Sequence, residues 1–442
     1  MRALLFYFCL PLIVAVGLRR PIWGLAIYLC ANIIRPEMLF WGGNTGALIF
    51  KVSLGSALLG FLVSHESKVE PLAVRELWLV LWISLAVTVS LILTAFPSAP
   101  RVWDYVGEFY KLLIVCWLLL GTMQKKQQAL NVIDILLFMA MLLSLWGWDQ
   151  SLRGNERLEG LGGQAFGDSN GVAAFGVLFL PLALHKLFTA NKWWQKIFGL
   201  DATILIAGLI VLTNSRGGFL GLVAGSCYLF LISPKKKWLG MCYLIILLGA
   251  TLLLPDKYLT RIATIESDQE QQRDASSGGR LVLWQAGWLI FKDNPVFGVG
   301  LLNFAQAKAP YRSQLAGQFD SDLLDYSFQG YKVGHSTWFG QVLPEGGLFL
   351  AIPMSWLIVG FFWRARRLQW ARPPTEETRP LYNALIGLEA GLFGYCVSIS
   401  FIDSLLMPFL TVLVMLGVQL IRIIERVSEA ATQPTSLQRD RA

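Results

Sequence analysis

Apolar runs succeed one another along most of this chain, separated by short polar turns. Runs over 47–64, 77–96, 130–148, 172–187, 198–213, 219–232, 238–254 and 335–363, with two more after Tyr382, have the length and character of bilayer-spanning helices. Lipid offers the backbone no hydrogen-bond partners, so each run must satisfy its own amides as a helix. The pattern predicts an all-α polytopic membrane protein with about 12 transmembrane helices, 13 being possible. The ambiguity sits at the N-terminus. The run 3–18 is followed at once by Arg19-Arg20-Pro21 and a second apolar run, which fits a first span or half of a short hairpin better than a signal peptide.

One polar stretch interrupts this pattern at length, over 255–334, and it ends at His335. The chain therefore reads as one transmembrane domain over 1–442, with 255–334 as a long loop or subdomain between spans and 425–442 as a cytoplasmic tail. Inside the polar stretch, Leu281 to Lys292 has apolar residues at helical spacing, with Trp284 and Trp288 one turn apart, and Pro295 stops the run. That predicts an amphipathic helix resting on the bilayer surface. Upstream, 266–279 is polar and carries Ser-Ser-Gly-Gly, which reads as a mobile loop.

Composition agrees with the pattern: of 442 residues 55% are hydrophobic and 15% charged, with mean hydropathy +0.55, too apolar for a soluble globular protein. A net charge of +8 could point to nucleic acid, but the basic residues gather at span ends, at Lys125-Lys126, Lys235 to Lys237, and Arg364 with Arg366-Arg367. That is the signature of cytoplasmic loops, and no nucleic-acid partner is expected. Lys51 and Lys111, within or near spans, can snorkel to the surface. All six cysteines lie in apolar runs without paired spacing, which indicates neither a disulfide framework nor a thiolate metal site.

Placing the basic clusters inside puts 97–105, 149–171, 214–217, 255–334 and the turn near Asp403 on the outer face. Arg153, Arg157, Arg216 and Arg280 then share that face with His335, against the usual loop bias. A planar guanidinium donates two parallel hydrogen bonds and suits phosphate, so Arg216 and Arg280 are candidates to hold a diphosphate. Imidazole titrates near neutral pH and can take a proton from a hydroxyl, which makes His335, with Ser336 beside it, the candidate base. His65 and His185 lie in a charged loop and at a span end, without such company.

Glu345 stands ten residues beyond His335, about 15 Å along a regular helix, too far for direct contact. Between Pro344 and Gly346-Gly347 it reads as a buried hydrogen-bonding group at a kink. Asp320-Ser321-Asp322, with Asp325 near, resembles an Asp-x-Asp metal motif only weakly. No Walker-type loop or His-Glu-x-x-His pair occurs, which argues against an ATP-driven pump or a zinc protease. Two turns stand out: 167–171, Gly-Asp-Ser-Asn-Gly, where Asp168 or Ser169 can cap the next helix, and 215–218, Ser-Arg-Gly-Gly, which leaves Arg216 at the membrane surface.

Taken in order, these features resemble the O-antigen ligase and polymerase superfamily of polytopic glycosyltransferases. The likeness covers most of the chain from about Arg153 onward. It rests on Gly167 to Gly171, Ser215 to Gly218, Arg280 before Trp284, Asn294 to Gly300 with Asn303-Phe304, and His335-Ser336 with Glu345 and Gly347. Arg20-Pro21 and Arg35-Pro36 are also similar to a ligase branch associated with exported glycoconjugates. The resemblance implies transfer of a glycan from an undecaprenyl diphosphate carrier on the periplasmic side of the bacterial inner membrane, without metal or cofactor. Arg216 and Arg280 would hold the diphosphate, with weaker contributions from Arg157 and Arg153. His335 would be the base, with Asn170, Ser336 and Glu345 supporting. Where the family commonly has Asp-Pro-Asn, this chain has Asp168-Ser169-Asn170, which leaves the role of that turn open.

The expected reaction is ligation of a polysaccharide to a hydroxyl of the lipid A-core, with membrane lipids as surroundings. Polymerization and transfer to a protein hydroxyl share the same donor chemistry. A lipid-linked sugar transporter or flippase, the rival of another class, would call for an inverted repeat and charges deep in the spans, whereas the sequence has no clear repeat, few deep charges and its polar residues concentrated on one face. A non-catalytic scaffold would not explain why the arginines and histidine share a side.

Overall fold

The computed structural model describes residues 2–34, 48–64, 71–96, 100–155, 158, 166–253 and 275–432. Arg157, His65 and the part of the expected mobile loop before 275 lie outside the described residues. Among the described residues the regular structure is helical, apart from one isolated bridge between Ala316 and Phe319. In order the helices are α1 (Arg2–Arg19), α2 (Pro21–Ile34), α3 (Leu48–Val63), α4 (Arg75–Leu93), α5 (Val102–Thr122), α6 (Lys126–Leu152), α7 (Ser169–Thr189), α8 (Trp193–Leu212), α9 (Arg216–Ile232) and α10 (Lys236–Leu253). After the polar stretch come α11 (Ala275–Asp293), α12 (Ser321–Phe328), α13 (Leu343–Ala371), α14 (Arg379–Ser398) and α15 (Phe409–Thr432). Single-turn helices fill the gap between α11 and α12, and a π-helical stretch, Thr337–Val342, leads into α13.

By length and composition, 7 of the described helices can cross a membrane, namely α4 to α8, Thr337–Ala371 and Arg379–Phe401. Tyr7–Arg19, Pro21–Ile34, Leu48–Val63 and Arg216–Ile232 are shorter apolar helices. The chain is an all-helical, multi-pass membrane protein. Helix α15 continues to Thr432, so the start of the expected tail at 425 is helical.

Helix α7 forms the centre. Its most apolar window is 83% buried, against 33% for α8, and a helix apolar on every side is stable only when surrounded. It packs on α8, α9 and α14. Small residues bring these backbones together: a Cβ added to Gly391 would sit 1.9 Å from Leu178 O, and one added to Gly394 would sit 2.6 Å from Gly221 O. Close approach through glycine replaces the water-driven force that helices lack in lipid.

Two departures from the sequence expectation concern the polar stretch. Ser276-Ser277-Gly278-Gly279 is helical, because Gly278 and Gly279 pack against Leu323 and Tyr326 of α12, and that packing overrides a weak local propensity. Trp284 faces protein instead of lying on lipid: its ring stacks on Phe339 at 6.0 Å and tilts against Phe401 at 5.8 Å. Trp288, one turn on, is exposed as expected of a surface helix. Helix α11 is thereby fixed over the start of the α13 span.

That span is itself broken. Gly347 has φ 60° and ψ −160°, a conformation open essentially to glycine alone. The interrupted ladder is completed by 294–300: Val299 N–H donates to Pro344 O at 2.9 Å and Gly300 N–H to Glu345 O at 3.0 Å. In return Leu348 and Phe349 N–H donate to Pro295 O and Val296 O at 2.8 and 2.9 Å. The sequence Asn-Pro-Val-Phe-Gly-Val-Gly thus serves as a backbone seam.

Candidate active site

At the end of the bundle where α7 and α9 begin and α14 finishes, three capping turns meet the turn that follows α14. Asp168 is extended and caps α7, its Oδ1 accepting from Asn170 N and from Gly171 N at 3.2 Å. This resolves the choice between Asp168 and Ser169 in favour of the aspartate. Ser215 caps α9, accepting from Gly218 N at 3.0 Å, while its hydroxyl donates to Asn170 Oδ1 at 2.7 Å. One hydroxyl therefore ties the two helix starts together and sets half-buried Arg216 as the first residue of α9. Next to it, Gly217 lies against Phe401, where an added Cβ would come within 3.0 Å of the Phe401 Cβ.

His335 sits between the polar stretch and the π-helical turn with φ +47°, a left-handed conformation costly for a side chain with a Cβ. What holds it there is Asp403, in the turn after α14. Asp403 Oδ2 accepts from His335 N at 3.2 Å and Oδ1 from Ser336 N at 3.2 Å. The imidazole Nδ1 stands 3.9 Å from Asp403 Oδ2. Ser336 is buried and caps the next turn, accepting from Phe339 N at 3.2 Å. Further bonds stitch the two loops together: Thr337 Oγ1 to Ile402 O at 2.9 Å, Thr337 Oγ1 with Ser404 Oγ at 2.7 Å, and Leu405 N to Gln341 Oε1 at 2.9 Å. Gly340 allows the approach, since a Cβ there would press on Asp403 Oδ1 at 3.0 Å.

Arg280, half-buried on α11, completes the cluster electrostatically. Burial first and then the Arg280 charge push the His335 pKa below its usual value, with Lys332 and Lys308 adding and Asp168 opposing. The imidazole is therefore neutral near pH 7, as a base must be. Burial raises the Asp403 pKa to about 7, with Asp168 adding, while the two backbone N–H groups and Arg280 pull it down. Lys308, buried on the same side, donates to Ser327 O at 2.9 Å and Lys332 O at 2.8 Å and so props the chain leading into His335. Burial lowers its pKa to about 8.

Of the residues singled out from sequence, Arg280, His335 and Ser336 come together around Asp403, and Arg216 and Asn170 share that end through the Ser215 bond. Arg153 does not join them: it is exposed, and its partner is Asp149 on its own helix at 2.8 Å. Glu345 is also apart. It is buried at the seam, with Oε1 accepting from Phe304 N at 3.2 Å. Of the weak acidic motif, Asp325 pairs with Arg312, while Asp320 and Asp322 are exposed. Buried His185 lies within α7. Asp403 joins the site without being marked by the sequence, which places its turn on the outer face and gives no further signal.

A helical membrane protein that gathers arginines, a neutral imidazole and a carboxylate at one end of its bundle has the equipment of a transferase acting on an anionic, lipid-borne substrate. Residues 202–352, which include Arg216, Arg280, His335 and Glu345, match the family described as O-antigen ligase. That match, over 151 of the 442 residues, supports membership of the O-antigen ligase superfamily of glycosyltransferase-like ligases and polymerases. Residues 1–152 match a family of unknown function. A protein of Haemophilus influenzae, described as uncharacterized, is 29% identical over 140 residues, covering 29% of this chain and 34% of that protein. The chain thus spans about a third of the length of the relative it matches.

Proposed function

We propose that this protein is an O-antigen ligase, moving a polysaccharide from undecaprenyl diphosphate to a hydroxyl of the lipid A-core at the periplasmic face of the bacterial inner membrane. In this reading about twelve spans surround a site on the outer side, and 255–334 is periplasmic. The observation that carries it is the Arg280–His335–Asp403 cluster, which combines a cation for a diphosphate with a neutral base whose backbone is fixed by the neighbouring carboxylate.

The acceptor hydroxyl attacks the anomeric carbon from the face opposite the diphosphate. Its proton passes to His335, at Nε2, because Nδ1 is the nitrogen beside Asp403. The carbon–oxygen bond to the diphosphate breaks with the electron pair leaving on phosphate oxygen, and configuration inverts. Arg280 and Arg216 bind the diphosphate and stabilise the charge as it develops. Asp403 favours the imidazolium that forms, and the diphosphate leaves without an external energy source. Asn170 and Ser336 act through position, by tying α7 to α9 and by starting the π-helical turn. Glu345 supports from the seam.

Lipid-borne substrates need an apolar path. A cavity of about 750 Å³ lies among α2, α3, α5 and the segment 405–413, lined by Leu29, Phe50, Leu112, Phe409 and Leu413, with Lys51, Arg101 and Lys111 among its charged residues. Its 405–413 wall begins just past Asp403 and is bonded to the His335 segment through Leu405 and Gln341. A polyprenyl or acyl chain fits that lining.

The test is transfer in proteoliposomes with defined donor and acceptor. His335→Ala is expected to retain carrier binding and lose transfer by about 10²- to 10⁴-fold; near-normal transfer would overturn the assignment. Supplying lipid A-core, a growing glycan and a protein hydroxyl in turn decides among ligase, polymerase and protein-acceptor activity. Transfer is expected to continue in excess EDTA, and a loss reversed by a divalent ion would return attention to Asp320 and Asp322.

A further inference from the structure

At the opposite end of the α13 span is a second basic cavity, of about 600 Å³, between the start of α4 and the C-terminal parts of α13 and α15. Its lining carries Arg75, Arg364, Arg367, Arg372 and Arg422 against Glu76 and Glu425, five cations to two anions and so a surplus of three. The glutamates act as brackets. Buried Glu76 takes Arg364 Nη1 at 2.8 Å and Arg75 Nη2 at 3.6 Å, and the Glu425 carboxylate stands 3.8 Å from Arg364 Nη2. Arg367 is exposed and meets only the Trp363 ring, at 5.2 Å, among the described residues. Arg75 likewise lies over Trp356, at 5.9 Å, with more than half of its side chain exposed.

These two tryptophans mark where the cavity opens. Ile352, Trp356, Val359, Trp363 and Trp370 form an exposed apolar stripe along α13, at spacings of one and two turns. Such a stripe on a span faces lipid, and tryptophan concentrates where acyl chains give way to headgroups. The cavity therefore joins a guanidinium-rich pocket to a lipid-facing surface at headgroup depth. That geometry points to a binding site for the phosphodiester headgroup of an anionic membrane phospholipid, with the phosphate among Arg75, Arg364 and Arg367 and the acyl chains against the Trp356–Trp363 stripe. A soluble phosphate shares the first half of this chemistry and none of the second. A zwitterionic headgroup would leave the surplus charge unmet.

Native mass spectrometry of the full-length protein tests this, with phosphatidylglycerol, phosphatidylethanolamine and inorganic phosphate as separate probes. The wild type is expected to retain one phosphatidylglycerol per chain in preference to phosphatidylethanolamine, with retention falling as salt rises. Arg367→Gln removes a charge that brackets no carboxylate; it should weaken retention about fivefold without moving the melting temperature. Arg75→Gln with Arg367→Gln should weaken it further. Lys196→Gln, which removes an exposed charge outside the cavity, should leave retention unchanged. Equal retention of the two lipids, or no effect of Arg367→Gln, overturns the proposal. Displacement by millimolar inorganic phosphate makes the cavity a free-phosphate site and overturns the lipid assignment.

Discussion

Two acidic residues lie close to the start of the same broken span, and they serve it differently. Asp403 spends both oxygens on the backbone of His335 and Ser336, lies 3.9 Å from the imidazole Nδ1, and stands at the edge of the bundle. Glu345 is enclosed: its carboxylate is buried and takes Phe304 N, while its carbonyl takes Gly300 N and the Ser90 hydroxyl. An acid inside a membrane protein is a functional candidate by default, and here the two separate by access. On the proposed function, the carboxylate beside a titratable, partly exposed partner serves chemistry and the enclosed one serves architecture.

The sharpest way to break this comparison is to remove each side and compare activity with stability. The His335→Ala loss of about 10²- to 10⁴-fold in transfer should leave the thermal midpoint nearly unchanged; a matching fall in stability would make the His335 turn structural as well. Asp403→Asn comes next, at about tenfold, the worth of one pKa unit of imidazolium stabilisation. It should also reshape the pH profile. With the Asp403 pKa at about 7, the wild-type rate should fall as pH drops through that value, because the protonated acid no longer stabilises the imidazolium. His335, shifted below its ordinary value, protonates lower still, so the variant should show only the lower limb. The same shift has a stability consequence. Folding raises the Asp403 pKa from 3.8 to about 7, so the folded chain holds that proton more tightly and loses stability as pH rises across this window.

On the Glu345 side, Gly347→Ala should cost roughly 1–3 kcal/mol from backbone strain alone. Its added Cβ would also meet Val296 O at 2.4 Å. Turnover per folded molecule is expected to hold, which thermal unfolding paired with active-site-normalised transfer can read. The smallest effect belongs to Arg153→Ala. An exposed ion pair within one helix is screened by water and adds little, so the thermal midpoint should barely move and transfer should change less than about twofold. A large loss of transfer there would bring Arg153 back among the diphosphate ligands.

Much of this architecture could be read in advance. Apolar runs found the helices because lipid and core make the same demand on every residue of a span, and 167–171 announced a cap, open between Asp168 and Ser169, and 215–218 a tight turn, through local chemistry that needs no distant partner. Arg280, His335 and Ser336 stood out by type and by side. Asp403 did not, since a lone acid in a short turn carries no local signal and its value comes from amides 67 and 68 residues away in the chain. The broken helix was partly legible, in Pro344 and Gly346-Gly347. The partner completing it was not, because Asn294 to Gly300 advertises a turn and says nothing about which carbonyls it will meet. The helical Ser-Ser-Gly-Gly stretch fails for the same reason, being decided by Leu323 and Tyr326.

The seam at Gly347 also has a consequence for biogenesis. A span interrupted at depth exposes amides and carbonyls that lipid cannot satisfy, and here their partners are Pro295, Val296, Val299 and Gly300, which precede the span in the chain. Those partners leave the ribosome first. The latch is thus made before the break it must close, and the half-helices can satisfy their backbone in lipid only once the preceding loop has docked against them.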